Sequence, residues 1–451
     1  MDSTLLHKKK VSVVGAARSG IAVALLLQSQ GAHVFVSDSS SVDKLQSSIS
    51  QLQSEKIEYE TGKHTVRVYE CELMVISPGV PSNAPVVLEA QKRSIKVISE
   101  LEVGSWFCRS PIVAITGSNG KTTTTTLIGR ILDHAKKKHV VAGNIGTAFS
   151  SLVLELAKTD VAVLEVSSFQ LDHIEDFRPK ISILLNITPD HMDRYDHSME
   201  KYITSKARIF KNQRSDDVLI YNADDEWTNR VVYQAQSRKI AFSIQQELNE
   251  GAFIQSEKLV TSIGGVKTEV IDINQIFIKG IHNLYNSMAA ALAGQLLGVE
   301  ADSLQSTLKT FEGVEHRLEF VRELNSVRYY NDSKATNVDS VWYALQAFKE
   351  PIVLLLGGRD KGNDYSRLAK LVKKQVKAIV AIGESADKVE QAFRGTSAIT
   401  KTATMDEAVA TARSLAQSGD VVLLSPACAS FDWFKNYEHR GQVFKELVKN
   451  L

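Results

Sequence analysis

The chain has 451 residues, of which 43% are hydrophobic and 23% charged, and its 53 basic and 52 acidic residues leave a formal net charge of +1. This length exceeds what one hydrophobic core usually serves, so we expect two to four domains. The balance of charge argues against nucleic acid as a partner, because nucleic-acid binding requires a clustered basic excess. No apolar run approaches a membrane span, and Cys71, Cys108 and Cys428 have neither disulfide nor zinc-site spacing, so we expect a cytoplasmic protein without a membrane partner.

Near the N-terminus the sequence predicts a strand–turn–helix–strand unit. Residues 11–14 form the first predicted strand, 15–20 a glycine-containing turn, 21–30 a helix, and 33–37 a second strand ending at Asp38. A Rossmann unit holds a ribose at such an acidic position, although Ala17 stands where a middle glycine would let a pyrophosphate approach. The pattern predicts a doubly wound, nucleotide-binding domain, with a purely structural turn as the alternative.

A further strand, 73–76, leads into a tight turn, Ser77-Pro78-Gly79-Val80-Pro81. Open α/β sheets bind ligands at the carboxyl ends of their strands. We therefore expect this turn to lie beside the ligand of the first domain.

The segment 111–126, PIVAITGSNGKTTTTT, predicts a strand that runs into a phosphate-binding loop. A small-residue turn that opens a helix directs backbone N–H groups at anionic oxygens, with Lys121 as a point charge and Thr122 as a hydroxyl ligand for Mg²⁺. Gly120-Lys121-Thr122 fits the end of the common P-loop pattern. The first glycine, Gly117, lies closer to Gly120 than in that pattern, so the loop has a shorter form. The segment predicts a nucleoside triphosphate site. The alternative is an ordinary glycine- and threonine-rich turn with an exposed lysine.

Two further apolar strands of this region end in polar clusters. Strand 161–166 contains Glu165 near its end, and strand 181–187 leads into a cluster with Asp190, His191 and Asp193. A carboxylate is rarely buried without a partner, so Glu165 predicts a bound metal ion or metal-held water, with a buried salt bridge as the alternative. His191 is a plausible neighbour of Mg²⁺ or phosphate, or else a hydrogen-bonded core histidine. The polar stretch 245–269 predicts a surface excursion.

A third region begins near Gly313 and again alternates strands with helices. Its predicted strands lie at 327–330, 352–356, 378–382 and 421–424. Three of them run into polar clusters, at 331–337, 357–362 and 425–430. Because parallel strands bring their carboxyl ends to one edge of a sheet, these clusters predict a second binding edge.

Eight short motifs follow one another in a fixed order between residues 117 and 441. They are GSNGKTT at 117–123, EVSSFQL at 165–171, NITPDHMDRY at 186–195, HNLYN at 282–286, EHRLE at 315–319, NDSKATN at 331–337, GGRDKGND at 357–364 and SPACASFDWFKNYEHRG at 425–441. Together they resemble the Mur ligase family, ATP-dependent enzymes that add amino acids to a UDP-linked peptidoglycan precursor. The segments DSKATN, GGRDKG and SPACAS resemble the branch that adds D-glutamate.

The resemblance implies an α/β fold of three domains. They are a Rossmann-like, doubly wound domain at 1–99 that binds the UDP-linked substrate, a central P-loop ATPase-like domain at 100–313 that binds ATP, and a Rossmann-like domain at 314–451 that binds the amino acid. The implied reaction adds D-glutamate to UDP-N-acetylmuramoyl-L-alanine through an acyl phosphate, with ATP and two Mg²⁺ ions. We expect a monomer.

The resemblance also implies the site residues. Those for ATP are Gly117, Ser118, Asn119, Gly120, Lys121, Thr122, Thr123, Asn283, Asn286, Arg317 and Asp332. Those for the UDP-linked substrate are Arg18, Ser19, Asp38, Ser77, Gly79, Asn144 and His191. Those for D-glutamate are Thr336, Lys361, Ser430, Phe431 and Tyr437. The implied metal ligands are Thr122, Glu165, His191 and, if carbamylated, Lys206, and the implied catalytic residues are Lys121, His191 and Lys206.

Some positions and functions stay open. By spacing alone Lys206 would be an ordinary helix-surface lysine, and Trp433 and Tyr437 depart from the glutamine and phenylalanine expected in the family. Other ligases of the same family are the nearest alternative, although Lys361 and the SPACAS segment favour an acidic amino acid. A nicotinamide-dependent oxidoreductase would rest only on the N-terminal turn. A third alternative is a P-loop switch or binding module with no bond-forming step.

Overall fold

The computed structural model describes residues 6–360 and 362–451. The chain forms two compact units: the first runs to Gln275 and includes Tyr285–Lys309, and the second comprises Ile276–Leu284 and Thr310–Leu451. The first unit contains two sheets and the second contains one. Within the described ranges, no helix has the length and apolar character needed to cross a bilayer.

The first sheet belongs to the predicted N-terminal domain. Its strands are β1 Lys10–Val14, β2 His33–Asp38, β3 Glu58–Thr61, β4 Leu73–Ile76 and β5 Lys96–Ser99. Its helices are α1 Arg18–Ser29, α2 Gln46–Ser54, α3 Pro85–Lys92 and α4 Glu100–Phe107. All of the strands are parallel, in the order β3-β2-β1-β4-β5. This is the order of a doubly wound Rossmann sheet, so the predicted fold of this region is confirmed.

Helix α1 begins at Arg18, three residues before the predicted start at residue 21. Gly20 therefore lies in the first turn of the helix instead of in the preceding loop. A Cβ atom on Gly20 would lie 1.7 Å from the carbonyl oxygen of Gly15. Gly20 thus allows the first turn of α1 to pack directly on the loop that follows β1.

The central sheet carries the predicted phosphate loop. Its strands are β6 Ile112–Thr116, β7 His139–Gly143, β8 Val161–Glu165, β9 Ile181–Leu184, β10 Val218–Asn222, β11 Arg238–Ser243, β12 Gly251–Gln255, β13 Lys258–Ile263 and β14 Val266–Asp272. The associated helices are α5 Lys121–His134, α6 Ser168–Leu171, α7 Met199–Ala207, α8 Glu226–Asn229, α9 Ile281–Leu296 and α10 Ala301–Thr310. The strand order is β14-β13-β12-β11-β10-β9-β6-β8-β7. Strand β6 therefore lies inside the sheet, between β8 and β9.

The polar stretch 245–269 forms part of this sheet, so the predicted surface excursion is wrong. Strands β12, β13 and β14 pair antiparallel through two-residue turns, the second of which is Gly264-Gly265 with both φ angles positive. Phe253 and Leu259 on these strands are fully buried. Polar residues within these strands, such as the buried Thr261 and Ser262, hide them from a search for apolar runs.

The first two sheets share one hydrophobic core, which includes Leu27 of α1, Leu101 of α4 and Leu164 of β8. Helix α4 also packs closely on Phe149, because a Cβ atom on Gly104 would lie 2.7 Å from the Phe149 ring. The N-terminal and central sheets are therefore held together by continuous apolar packing.

The sheet of the second unit has the strands β15 Glu319–Leu324, β16 Val327–Asn331, β17 Ile352–Gly357, β18 Val376–Ile382, β19 Ala398–Lys401 and β20 Val421–Leu424. Its helices are α11 Val338–Gln346, α12 Ala369–Gln375, α13 Ala386–Phe393, α14 Met405–Leu415 and α15 Tyr437–Lys449. The order is β15-β16-β20-β17-β18-β19, and only the β15–β16 pair is antiparallel within the described residues.

Each face of this third sheet is covered by its own core. On β17, for example, Val353 belongs to one hydrophobic cluster and Leu354 to the other. The four predicted strands of this region are confirmed. Neighbouring parallel strands β16, β20 and β17 bring three of the predicted polar clusters to one edge.

Candidate functional site

The phosphate loop connects β6 to α5 and depends on glycine. Gly117 and Gly120 both have positive φ, at 156° and 85°. A Cβ atom on Gly120 would lie 2.3 Å from Oδ1 of Asn286, so a larger residue here would have to displace the Asn286 side chain. Asn286, predicted from the sequence to contact ATP, therefore lies directly against the loop.

The loop is held in place by Asn186, which was not among the predicted site residues. The Asn119 amide donates to Asn186 Oδ1 at 2.9 Å, Asn186 Nδ2 donates to the Asn119 carbonyl at 3.0 Å, and the Ser118 amide donates to the Asn186 carbonyl at 2.9 Å. Ser118 and Asn119 are both buried. The loop is thus preorganised by the segment that follows β9, and the motif NITPDHMDRY was the available signal for this role.

Two lysines meet at the carbonyl of Gly117. Lys121 Nζ donates to the Gly117 and Ser118 carbonyls at 2.8 and 2.9 Å, and Lys206 Nζ donates to the Gly117 carbonyl at 2.9 Å. Lys206 is only 2% exposed, so its interpretation as a surface lysine is wrong. Burial, together with the like charge of Lys121, lowers the pKa of Lys206 well below its usual value, against the opposing effect of Asp190.

Glu165 lies buried beside the loop with two hydrogen-bond donors. Thr122 Oγ1 donates to its Oε2 atom at 2.7 Å, and Asn144 Nδ2 donates to its Oε1 atom at 3.0 Å. Hydroxyl and carboxylate oxygens are the ligands that Mg²⁺ prefers. The buried hydroxyl of Thr123 also has no hydrogen-bond partner among the described residues, which is the state expected where a polar ligand supplies the partner. These residues fit a magnesium–nucleotide complex.

His191 lies in the cluster after β9, in a left-handed backbone conformation with φ of 53°. Its amide donates to Asp190 Oδ1 at 2.9 Å, and its Nε2 atom lies 3.6 Å from Asp190 Oδ2. Its ring packs edge-on against Phe169 with 5.0 Å between the ring centroids. The side chain is about 38% exposed, so the alternative of a core histidine is wrong.

Arg194 connects the central sheet to the N-terminal domain and was also absent from the predicted site. Its guanidinium lies 4.2 Å from the centroid of the Phe169 ring. It donates to the carbonyls of Pro78 and Gly79 at 3.2 and 3.1 Å. Arg194 therefore positions the turn after β4, where the sequence predicted a ligand.

Two cavities of the first unit collect most of the predicted residues. A cavity of about 650 Å³ is lined by six of the seven residues predicted for the UDP-linked substrate, namely Arg18, Ser19, Asp38, Ser77, Gly79 and Asn144. A second cavity, of about 360 Å³, shares Pro78, Gly79 and Asn144 with the first. Its lining also includes Lys121, His191, Arg194 and Lys206. The two cavities thus lead from the N-terminal sheet to the phosphate loop.

Asp38 shapes the first cavity through the backbone. Its Oδ2 atom accepts the Ala16 amide at 2.6 Å, and its Oδ1 atom accepts the Ser40 amide at 2.7 Å. Burial by itself would raise the pKa of Asp38, but these amide bonds outweigh it and hold the pKa below its usual value. Asp38 is therefore a charged carboxylate that fixes both loops around the cavity.

The second unit contains the other predicted ATP residues. Asp332 accepts from the Ser425 hydroxyl at 2.7 Å and from the Leu318 amide at 3.2 Å. Burial raises the pKa of Asp332 to about 7, against the opposing charge of Arg317. The buried Nε atom of Arg317 has no hydrogen-bond partner in the described part of the chain, and Asn283 donates to the Lys279 carbonyl at 2.9 Å.

The residues predicted for D-glutamate also lie in the second unit. Thr336 follows β16, Ser430 is buried just after β20, Phe431 is 61% exposed, and Tyr437 is the first residue of α15. Lys361 lies outside the described residues. The carboxyl edge of the third sheet thus collects the four described candidates.

Models of three protein domains match the chain. They are described as the MurD N-terminal domain, at residues 10–86, the Mur ligase middle domain, at 115–294, and the Mur ligase glutamate ligase domain, at 316–428. A UDP-N-acetylmuramoylalanine–D-glutamate ligase of Salinibacter ruber is 46% identical over 99% of both chains. A ligase of the same name from Christiangramia forsetii is 43% identical over 98% of this chain and 100% of its own.

Solved structures agree on the fold. A pseudomurein peptide ligase type C from Methanothermus fervidus has a TM-score of 0.63 at 20% identity and covers 98% of this chain and 100% of its own. The UDP-N-acetylmuramate–alanine ligase MurC from Thermotoga maritima has a TM-score of 0.59 at 19% identity, over 98% and 99%. The architecture is that of a three-domain α/β ligase with a phosphate loop in its central sheet. The chain belongs to the Mur ligase family, as its motifs predicted.

Proposed function

We propose that this chain is an ATP-dependent ligase that joins D-glutamate to UDP-N-acetylmuramoyl-L-alanine in the synthesis of peptidoglycan precursors. One observation carries the proposal. In a chain 46% identical to a ligase of that name, the cavity lined by the predicted substrate residues leads to the loop that carries Lys121 and Thr122. The predicted domains divide the work, with residues 1–99 for the UDP-linked substrate, 100–313 for ATP and 314–451 for D-glutamate.

The reaction must overcome two chemical barriers. A carboxylate is a poor acyl donor because its leaving group is poor, and the incoming amine is protonated in water. Transfer of the γ-phosphoryl group of ATP to the alanyl carboxylate gives an acyl phosphate and ADP. The ammonium group of D-glutamate loses a proton, and the resulting amine attacks the acyl carbon. Inorganic phosphate leaves and a second proton is released from the nitrogen as the amide forms. Both steps gather negative charge on oxygen atoms.

The phosphate loop is suited to stabilising that charge. Its backbone amides are held by Asn186, and Lys121 is placed by two loop carbonyls, so the donors need little reorganisation during the reaction. Magnesium, when bound, supplies further positive charge to the phosphate oxygens. Thr122, Glu165 and His191 would hold it. His191 would also position the muramoyl-alanine end beside Asn144.

Lys206 would hold a second Mg²⁺ after carbamylation. The uncharged amine is the form that adds CO₂: a nitrogen–carbon bond forms and a proton is released, which leaves an anionic carbamate. The burial and lowered pKa of Lys206 favour that uncharged amine. Mass spectrometry of the intact chain in bicarbonate should detect a mass increase of one CO₂ that disappears in Lys206→Ala. An unmodified wild-type chain would contradict this proposal.

The remaining site assignments all lie in the second unit. In the second unit, Asn283, Arg317 and Asp332 would contact the adenine nucleotide, and Thr336, Lys361, Ser430, Phe431 and Tyr437 would contact D-glutamate. The raised pKa of Asp332, and the Nε atom of Arg317 that has no hydrogen-bond partner among the described residues, support a polar ligand at these groups. Because its substrates are ATP and a UDP-linked precursor, we place the reaction in the cytoplasm, and we expect the enzyme to act as a monomer.

The decisive experiment measures phosphate release with ATP, Mg²⁺, UDP-N-acetylmuramoyl-L-alanine and each amino acid in turn. We expect release with D-glutamate, together with ADP and the coupled product. Release with L-alanine, a diamino acid or a dipeptide instead would assign the chain to another branch of the family. Release that needs no amino acid and no UDP-linked acceptor would refute ligase activity.

A further inference from the structure

Arg440, on α15, is the largest fully buried side chain of the described residues, at 1% exposure. Its guanidinium donates to four neutral acceptors and to no carboxylate. Nε donates to Ser333 Oγ at 2.9 Å, Nη2 to the Ser333 carbonyl at 2.7 Å, and Nη1 to the carbonyls of Cys428 and Ala429 at 3.1 and 3.3 Å. A buried guanidinium is usually paired with an anion, so this arrangement requires an explanation.

Arg440 is charged and forms no ion pair with a described residue. Burial lowers the pKa of Arg440 to about 10, which leaves the guanidinium protonated at neutral pH. Asp432 and Asp332 attract it electrostatically, but among the described residues neither accepts a hydrogen bond from its guanidinium. A positive charge in this low-dielectric setting therefore acts on whatever binds at the loops around it.

Those loops are the ones that carry the candidates for D-glutamate. Ser333 lies three residues before Thr336 in the loop after β16, and Ala429 directly precedes Ser430 in the loop after β20. The Ser333 hydroxyl, which accepts from Arg440, in turn donates to the carbonyl of Tyr437 at 2.8 Å. One guanidinium thus connects the loops after β16 and β20 and, through Ser333, the start of α15.

A third loop is packed against the same group. Gly358, in the segment after β17, has φ of 137°, and a Cβ atom there would lie 3.2 Å from Arg440 Nη1 and 2.5 Å from the Ala429 carbonyl. The Arg359 amide also donates to the Ala429 carbonyl at 2.9 Å. The ends of β16, β17 and β20 therefore all meet at Arg440.

We propose that Arg440 is a positioning residue of the amino-acid site: its guanidinium holds the loops after β16 and β20, against which the loop after β17 packs, and its charge, which no described carboxylate contacts, favours a dicarboxylate amino acid. This inference rests on the proposed function and deepens it, because it names the feature that selects an acidic incoming group. Arg440 acts through Ser333, Ala429 and Tyr437, without itself touching the substrate.

The test compares steady-state kinetics of wild type, Arg440→Lys and Arg440→Gln. Hydrogen bonds to charged groups are worth about 1.5–3 kcal/mol, so Arg440→Lys should raise the KM for D-glutamate about 10-fold or more. Arg440→Gln, which also removes the charge, should raise it further. The KM values for ATP and for the UDP-linked substrate should not change in either variant.

Arg322→Lys is the matched control. Arg322 donates to the carbonyls of Val448 and Lys449 at the opposite end of α15, at 3.3 and 2.8 Å, so it makes similar bonds away from the candidate site. The KM of Arg322→Lys for D-glutamate should equal that of wild type. A folded Arg440→Gln with wild-type KM for D-glutamate would overturn the inference. Equal rises in the KM values for all three substrates would also overturn it, because they would indicate a general structural role. Equal KM values for D-glutamate in Arg440→Lys and Arg440→Gln would overturn it as well, because they would show that the charge has no effect.

If the Arg440 variants do not fold, Ser333→Ala decides. It removes only the hydroxyl that bridges Arg440 and the Tyr437 carbonyl, and it should raise the KM for D-glutamate severalfold; an unchanged KM would overturn the inference. Wild type without D-glutamate-dependent phosphate release would overturn the proposed function and this inference together. If wild type is active and the Arg440 and Ser333 variants keep its KM for D-glutamate, only the inference about Arg440 is overturned.

Discussion

Asp332→Asn should change how the stability of the ligand-free protein depends on pH. The pKa of Asp332 is raised from 3.8 to about 7 in the folded chain. Between these values the folded state holds a proton that the unfolded state has lost, so stability falls as pH rises, by about 1.4 kcal/mol per pH unit. A difference of about 3 units corresponds to about 4 kcal/mol in total. Stability should level off above about pH 7, where the folded carboxyl is also ionised.

Urea unfolding of wild type and Asp332→Asn from pH 5 to pH 8 measures this effect. Asparagine keeps an acceptor for the Leu318 amide and can donate to the Ser425 hydroxyl, so the variant should fold. All other titrating groups are common to both chains and cancel in the difference. Relative to the variant, wild type should lose about 2–3 kcal/mol between pH 5 and pH 7. Parallel stability curves would refute the reasoning, and the exposed Asp387→Asn serves as the control that should show no such difference.

Three further predictions concern the first unit. Lys121→Ala should lower turnover at least about 100-fold, because a preorganised charge at the reacting oxygens is worth about 3 kcal/mol; near-normal phosphate release would contradict this. Gly120→Ala should weaken binding of a non-hydrolysable ATP analogue about 10-fold or more in calorimetry, because the strained backbone costs about 1–3 kcal/mol and the new Cβ would lie 2.3 Å from Asn286 Oδ1. Unchanged affinity would show that the loop can adjust. Arg194→Ala should raise the KM for the UDP-linked substrate about 10-fold through loss of two charge-assisted bonds, while the KM for ATP stays at the wild-type value. Equal rises in both KM values would argue against a positioning role.

Much of the fold was predictable because buried parallel strands leave a strong local pattern. Strands such as β6 and β8 are buried along their whole length and therefore appear as continuous apolar runs. Glycine at positive φ marks the loops that follow them, so the phosphate loop was also visible in the sequence. The hairpins β12–β14 were missed because polar residues, including the buried Thr261 and Ser262, interrupt their apolar runs, although Gly264-Gly265 was an available turn signal.

The sequence predicted which residues belong to the site better than it predicted the surroundings of their side chains. Motif resemblance named Lys206, but only the fold buries it beside Lys121 under the Gly117 carbonyl. Arg194 and Arg440 lie within the quoted motifs but were not predicted as site residues, because a sequence does not show which carbonyls a long side chain will reach. Their roles depend on strand ends and loops far apart along the chain.

The sequence by itself therefore determined the class of protein, the three α/β regions and the loop that would hold a phosphate. These properties depend on local patterns, namely apolar runs, glycines and short motifs, whose physical effects act within a few residues. The tertiary structure alone decided which side chains are buried, which carry an altered pKa and which join distant loops. Burial and electrostatic interactions depend on all atoms within a few ångströms, and that neighbourhood exists only once the sheets have assembled.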